Sequence, residues 1–91
     1  MTRLDDDDRA AFVAEHVGWV IEGEVVKKTY TMADFNESMG FVTRIALLAE
    51  VADHHPDIDI RWNKVTIALS THSEGALTSK DTDLAAAIEA L

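Results

Sequence analysis

Residues 54–72, HHPDIDIRWNKVTIALSTH, carry the clearest secondary-structure signal in the chain. Apolar and polar residues alternate over residues 58–62 and again over residues 65–72. Such alternation is typical of strands that bury one face and expose the other. A bend at residues 63–64 would return the chain, so the stretch predicts an antiparallel hairpin with Trp62 in its core.

Helices and a further hairpin flank this stretch. Residues 19–31 are predicted to form two strands around a turn at residues 22–24, since β-branched and aromatic residues dominate on both sides of Gly23. A long helix is predicted from residues 31–34 to about residue 51, because apolar residues recur there at steps of three and four. Its predicted apolar stripe consists of Phe35, Met39, Val42, Ile45 or Ala46, and Ala49.

Two shorter helices complete the set. One is predicted over residues 9–18, ending at Gly18, and the other is capped by Asp81 or a neighbouring Ser or Thr. The element order is therefore α-β-β-α-β-β-α in a single domain, residues 1–91. It implies an α+β fold, in which three helices pack on one face of a four-stranded antiparallel sheet.

The composition describes a small acidic protein and excludes several classes. Seventeen acids against 8 Lys and Arg give a net charge of −9, which repels phosphate backbones, so no nucleic-acid partner is expected. The absence of cysteine excludes disulfides and thiolate metal sites. No apolar run approaches the ~20 residues of a membrane helix, and the acidic start does not resemble a signal peptide. The expected location is the cytoplasm, with no membrane partner.

The acidic run at residues 5–8, DDDD, also has a local interpretation. Carboxylates are stabilised near the positive end of a helix dipole, so the run is interpreted as a solvated helix start. A cation site would need ligands spaced along a looping backbone, which consecutive aspartates do not supply.

Three of the four histidines fall where the predicted hairpin brings the chain together. His54 and His55 leave the end of the long helix, and the hairpin returns His72 beside them. Asp81 begins the next helix one loop later. We therefore expect three imidazoles and one carboxylate at one edge of the sheet.

This cluster has three interpretations. Histidine titrates near neutrality, so the cluster suits general acid–base catalysis. Three histidines could also bind zinc, although adjacent histidines rarely share one ion and no two here have i, i+4 spacing. In the third interpretation His54 and His55 are only polar helix-end residues that interact with the dipole. His16, alone in the first helix, is assigned no functional role.

The residues around the cluster resemble the pterin-4a-carbinolamine dehydratase family. The resemblance covers nearly the whole chain and includes GW at residues 18–19 and LTSKD at residues 77–81. Its central positions are Glu50, His54, His55, Pro56, Trp62, Thr71, His72, Gly75 and Asp81.

The resemblance implies the same α+β fold, assembled as homodimers or as dimers of dimers. It also implies a reaction, the elimination of water from 4a-hydroxytetrahydrobiopterin to give quinonoid dihydropterin, which supports the recycling of tetrahydropterin. The pterin is the substrate, so neither a cofactor nor a metal is expected.

Site roles follow from the resemblance residue by residue. His54 and His72 would be the acid–base pair around carbon 4a, and His55 would hold or deprotonate the pterin ring. Pro56 would fix the backbone so that the adjacent imidazoles diverge into the pocket. Asp81 would support the His72 side of the site.

Substrate contacts are also expected from Glu50 at the pocket rim, Thr71 and Trp62. Two features depart from the family pattern: Ala76 stands where many members have a second glycine, and the N-terminal extension of several members is reduced to the acidic run. The alternative function is a non-catalytic binding or assembly-factor module, the role of some relatives. Retention of the three histidines together with Asp81 favours catalysis.

Overall fold

A computed structural model describes residues 2–91. The helices are α1 (Asp6–Glu15), α2 (Phe35–Ala52) and α3 (Ser79–Glu89). The strands are β1 (Val20–Glu22), β2 (Val25–Thr31), β3 (Asp57–Arg61) and β4 (Lys64–Leu69), and one 3₁₀ turn covers His72–Glu74. The predicted α+β class and the order α-β-β-α-β-β-α are confirmed.

The four strands form one antiparallel sheet in the order β1-β2-β4-β3. The alternation predicted for β4 is confirmed, because Val65, Ile67 and Leu69 are all buried. Thr29 and Thr66 lie on the opposite face, where their hydroxyl groups are 2.8 Å apart and exposed. Strand β4, one of the two interior strands, therefore has one face in the core and one face toward solvent.

The core lies between the sheet and the helices. Each helix contributes buried apolar residues, and the largest buried side chain, Trp19, lies just before β1. The buried core cluster comprises Phe12, Trp19, Val26, Ile45, Ala49, Val65, Ile67, Leu69, Leu77, Leu84, Ala85 and Ile88. Within residues 2–91, no helix combines the length and the apolar character that crossing a membrane requires.

The acidic run is the start of α1, as interpreted. Asp5 is the N-cap, and its side chain accepts a hydrogen bond of 2.8 Å from the backbone N–H of Asp8. The helix begins and ends about three residues earlier than predicted. Gly18 lies beyond the helix end and has a φ of 93°, a conformation that glycine adopts at little cost.

Two details of the predicted packing are wrong. Trp62 is 64% exposed, because the hairpin turn begins at residue 62 rather than 63 and gives this residue a φ of 52°. In α2, Phe35 and Met39 are exposed, while Ser38 is fully buried. In the first turns of α2, Ser38 is the residue that faces the core, and Phe35 and Met39 on either side of it therefore face outward. The hydroxyl group of Ser38 donates to the carbonyl of Asp34 at 3.0 Å.

One carboxylate ties the N-terminal segment to the first hairpin and to the loop before α3. Glu24 accepts hydrogen bonds from Arg3 at 2.7 Å, from Arg9 at 2.6 Å and from the backbone N–H of Leu77 at 3.0 Å. The Leu77 carbonyl in turn accepts from the backbone N–H of Leu4 at 2.9 Å. The Leu77 N–H and then the two guanidinium groups hold the pKa of Glu24 below its ordinary value. The loop that leads into α3 is thereby fixed.

Truncating a buried side chain of β4 tests the assignment of the core. Ile67→Ala removes buried methyl and methylene groups, so it should lower the free energy of unfolding by about 2–5 kcal/mol in urea denaturation. Lys64→Ala, at an exposed position of the same strand, is the matched control and should change it by less than about 0.5 kcal/mol. Equal effects of the two substitutions would contradict the assigned register.

The Glu24 contacts should appear as a pH-dependent contribution to stability. A carboxyl group whose pKa is lowered on folding stabilises the folded state above its unfolded pKa, and this contribution is lost as the pH falls through the folded pKa. The stability difference between wild type and Glu24→Gln should therefore be largest above pH 4.5 and shrink at lower pH. Urea denaturation across this range measures it, with the exposed Glu15→Gln as control. A difference that is the same at every pH would contradict the assigned contacts.

Candidate active site

The two adjacent histidines that follow α2 point in different directions. Asp53 follows the helix in the left-handed conformation, with a φ of 50°, and the backbone N–H of His54 donates to the Ala49 carbonyl at 3.1 Å. A short polar side chain such as that of Asp tolerates this conformation better than most. The next two side chains diverge as a result, since His54 is 11% exposed and His55 is 59% exposed.

Proline at position 56 completes this corner. It disfavours the helical region for His55, so the chain leaves α2 in an extended conformation and enters β3 at Asp57. Pro56 is itself half-buried. The corner is therefore held on one side by the helix end and on the other by the start of an edge strand.

His54 contacts a buried carboxylate. Its Nε2 lies 2.5 Å from Oδ1 of Asp81, which is fully buried in the first turn of α3. The second oxygen, Oδ2, accepts hydrogen bonds from the Thr71 hydroxyl at 2.7 Å and from the backbone N–H of Thr78 at 3.0 Å. Across residues 2–91, no buried side-chain polar atom lacks a hydrogen-bond partner. The carboxylate is thus fixed from three sides.

This contact corrects the expected place of Asp81. The family resemblance implied that it supports the His72 side of the site, but the structure pairs it with His54. Thr78, not Asp81, is the N-cap of α3, and Asp81 is the third helical residue of a capping box. In that position its carboxylate turns back toward the helix start, where His54 and Thr71 meet it.

His55 and Glu50 form a pair at the surface. Nε2 of His55 contacts Oε2 of Glu50, which lies in the last turn of α2, and both side chains are more than half exposed. The structure thus places Glu50 at the rim of the histidine corner. This contact gives the outer of the two adjacent imidazoles a defined position without burying it.

His72 begins the 3₁₀ turn that follows β4 and is exposed. The Gly75 N–H closes this turn by donating to the His72 carbonyl at 3.1 Å. Gly75 has a φ of 60°, which a glycine accommodates without strain. At the base of the turn the Thr71 N–H donates to the Ala76 carbonyl at 3.1 Å.

One cavity of about 240 Å³ brings the three histidines together. Its polar walls also include Ser70, Ser73 and Lys80. An adjoining, mostly apolar depression of about 310 Å³ shares His54 and Lys80 and is lined by residues of α2 and α3. A flat ring with polar edges and apolar faces is complementary to this combination of surfaces.

Not every predicted site residue reaches this cavity. The structure brings together His54, His55, His72, Thr71 and, behind His54, Asp81. Trp62 lies at the far end of the hairpin and lines neither the polar cavity nor the apolar depression. Among residues 2–91, no three His, Asp or Glu side chains converge in a way that could hold a metal ion.

Two residues of the site were missed in the sequence. Lys80 lines both depressions, and Thr78 donates to Asp81 through its backbone and contacts Thr71 through its hydroxyl. A signal for Thr78 was present in LTSKD, because Thr three residues before an acid is the pattern of a capping box. No sequence pattern marked Lys80.

A second polar cluster lies away from the histidines. The carboxylate of Glu89 accepts hydrogen bonds from Trp19, Tyr30 and Lys28. Burial, and then the Glu89 carboxylate, raise the pKa of Tyr30, which keeps its hydroxyl group protonated. The cluster borders a larger cavity of about 640 Å³ that contains none of the predicted site residues. The hydrogen bonds of Glu89 connect the end of α3 to β2.

Comparison with known proteins agrees with the geometry. A family model described as pterin 4 alpha carbinolamine dehydratase matches residues 2–91. A relative from Roseiflexus sp. (strain RS-1) is 47% identical over 88 residues, which are 97% of this chain and 95% of the relative. One from Mycobacteroides abscessus is 48% identical over 89 residues, covering 98% of this chain and 95% of the relative. Both are provisionally named as pterin-4-alpha-carbinolamine dehydratases.

Solved structures show the same architecture. A transcriptional coactivator/pterin dehydratase from Brucella melitensis has a TM-score of 0.91 at 32% identity, covering 98% of this chain and 97% of that one. A pterin dehydratase-like protein identified as a RuBisCO assembly factor in the alpha-carboxysome has a TM-score of 0.69 at 23% identity, covering 82% and 89%, and shares the fold. Since the family model and the close relatives span almost the whole length, the chain belongs to the pterin-4-alpha-carbinolamine dehydratase family.

Proposed function

We propose that this protein dehydrates 4a-hydroxytetrahydrobiopterin to quinonoid dihydropterin by histidine acid–base catalysis and so supports tetrahydropterin recycling. The observation that carries the proposal is the single cavity lined by three imidazoles, one of which contacts a fully buried carboxylate. Family membership supports the substrate class.

The chemistry needs two proton transfers around one carbon. A base takes the N–H proton from the ring nitrogen adjacent to carbon 4a, and the electron pair of that bond forms a carbon–nitrogen double bond. The bond between carbon 4a and the hydroxyl oxygen breaks, and an acid protonates the oxygen, which leaves as water. Two imidazoles, one neutral and one protonated, satisfy both transfers, and each positioned group typically contributes ~10²–10⁴-fold.

His54 and His72 are the pair that we assign to these transfers. They enter the cavity from different elements, His54 from the end of α2 and His72 from the turn after β4. We assign binding of the pterin ring to His55, and its contact with Glu50 at the rim supports this assignment. The apolar depression beside His54 would receive a face of the bicyclic ring.

No step of this scheme requires a metal or a further cofactor, since the pterin is the substrate. The homodimeric assembly, or dimer of dimers, and the cytoplasmic location implied by the sequence stay predictions. A contribution of Trp62 to substrate binding is not part of the proposal, because its position at the far end of the hairpin gives it no access to the cavity.

A non-catalytic binding module is the second candidate. It is favoured by the exposed apolar residues Leu47 and Val51 on α2, the second of which lines the apolar depression. One solved structure with this fold is that of a protein identified as a RuBisCO assembly factor, but at 23% identity it supports the fold alone.

A dehydration assay separates the two candidates. The carbinolamine is generated enzymatically, and its loss is followed by ultraviolet absorbance with wild type, His54→Ala and His72→Ala. Wild type should dehydrate it rapidly, and each substitution should lower the catalysed rate by about 10²-fold or more, until spontaneous dehydration dominates.

His16 supplies a matched control, because its ring stacks on Phe12 in α1, at 4.3 Å between centroids, rather than lining the histidine cavity. His16→Gln should retain the wild-type rate within about twofold. A wild-type rate equal to the spontaneous rate, from protein shown to be folded by circular dichroism, would refute the enzymatic proposal and favour the binding module.

A further inference from the structure

A chain of hydrogen bonds runs from the start of α3 to His54. The backbone N–H of Lys80 donates to the Thr78 hydroxyl oxygen at 3.3 Å, and that oxygen lies 2.8 Å from the hydroxyl oxygen of Thr71. Thr71 donates to Oδ2 of Asp81, and Oδ1 of Asp81 contacts Nε2 of His54. Thr71, Thr78 and Asp81 are all buried, so the protein itself supplies their hydrogen-bond partners.

The number of available protons fixes which group is the donor in each of these hydrogen bonds. Each hydroxyl group has one proton to donate. An ionised carboxylate only accepts, so the Thr71 proton points to Asp81 and is not available to Thr78. The hydroxyl of Thr78 must therefore donate to Thr71, while its oxygen accepts from the Lys80 N–H. Every donor along the chain is directed toward Asp81.

The same count fixes the proton on His54. Oδ2 of Asp81 receives the Thr71 hydroxyl and the Thr78 N–H, while Oδ1 faces the imidazole. Facing an ionised carboxylate, Nε2 of His54 has to be the donor. A neutral imidazole has one N–H, so Nδ1 keeps its lone pair.

We propose that Thr71 and Thr78 are positioning residues that act through Asp81 to hold His54 as the Nε2–H tautomer, which makes Nδ1 the basic atom of the site. The tautomer rests on the chain of contacts and on an ionised Asp81 carboxylate, whereas the role of Nδ1 in catalysis rests on the proposed function.

The proposal assigns the two proton transfers. Nδ1 of His54 uses its lone pair to take the proton from the pterin nitrogen adjacent to carbon 4a, and the electrons of that N–H bond form the carbon–nitrogen double bond. Protonated His72 gives its proton to the departing oxygen, which leaves as water. His54 is then an imidazolium whose Nε2–H still faces the Asp81 carboxylate, a charge-assisted contact.

The placement of the two threonines explains why this arrangement is rigid. Thr71 follows β4 and is paired through its backbone with Ala76, while Thr78 caps α3 and directly follows Leu77, which Glu24 holds. The hydroxyl contact between Thr71 and Thr78 therefore joins two fixed backbone segments. A site supported in this way needs no structural reorganisation when the reaction occurs.

Nitrogen NMR of the imidazole rings tests the tautomer directly. Long-range ¹H–¹⁵N spectra of uniformly labelled, ligand-free protein at about pH 8.5, where free imidazole is neutral, distinguish a protonated ring nitrogen from an unprotonated one. We expect a protonated Nε2 and an unprotonated Nδ1 for His54. A protonated Nδ1 would overturn the inference, and this measurement needs no substitution.

Substitution of Thr71 tests the positioning role. Thr71→Val removes the hydroxyl at nearly constant volume, so the His54 signals should move toward a mixture of tautomers and kcat should fall about tenfold. Thr71→Ser restores the hydroxyl and should restore both readouts. Thr29→Val is the matched control, because it breaks a threonine pair of the same 2.8 Å spacing on the exposed sheet face.

The outcomes separate this inference from the proposed function. Wild-type His54 signals and wild-type kcat in Thr71→Val would overturn the positioning role. A protein without dehydratase activity that still shows the Nε2–H tautomer, and loses it in Thr71→Val, would overturn the proposed function while supporting the hydroxyl chain.

Discussion

The contact between Asp81 and His54 joins parts of the chain that are far apart in sequence. Asp81 belongs to the first turn of α3, His54 to the corner after α2, and Thr71, which also binds the carboxylate, to the segment just after β4. A fully buried carboxylate is costly unless every oxygen has a donor. All these segments must therefore be in place together, and loss of the His54 imidazole would leave the buried Oδ1 of Asp81 without its hydrogen-bond partner, at a cost of about 1–3 kcal/mol.

This constraint gives the three histidines of the cavity different properties. His54 is largely buried and fixed, whereas His55 and His72 are exposed and can exchange protons with water. This difference in exposure suits an elimination, which needs one oriented imidazole and one imidazole that is readily reprotonated. Lys80 is a cationic residue of the cavity wall. The protein has a net charge of −9, but this net charge neither attracts nor repels a neutral pterin strongly.

The sequence predicted the elements better than it predicted the directions of side chains. Alternation in β4 and the acidic start of α1 are local patterns, and both are confirmed. Asp81 was expected beside His72 but contacts His54, because His54 turns inward after the left-handed Asp53, a conformation that no glycine marks. The exposure of Trp62 follows from a turn that starts one residue early, a difference too small for strand alternation to reveal.

The most direct test of the central claim, that these three histidines form one pterin site, is an NMR titration with the unreactive analogue 7,8-dihydrobiopterin. The imidazole signals of all four histidines are followed, and His16 in the turn after α1 serves as the internal reference. We expect His54, His55 and His72 to shift together along one saturation curve while His16 stays unchanged. Saturable binding, measured by calorimetry, that leaves the three signals in place or moves His16 equally would contradict the account.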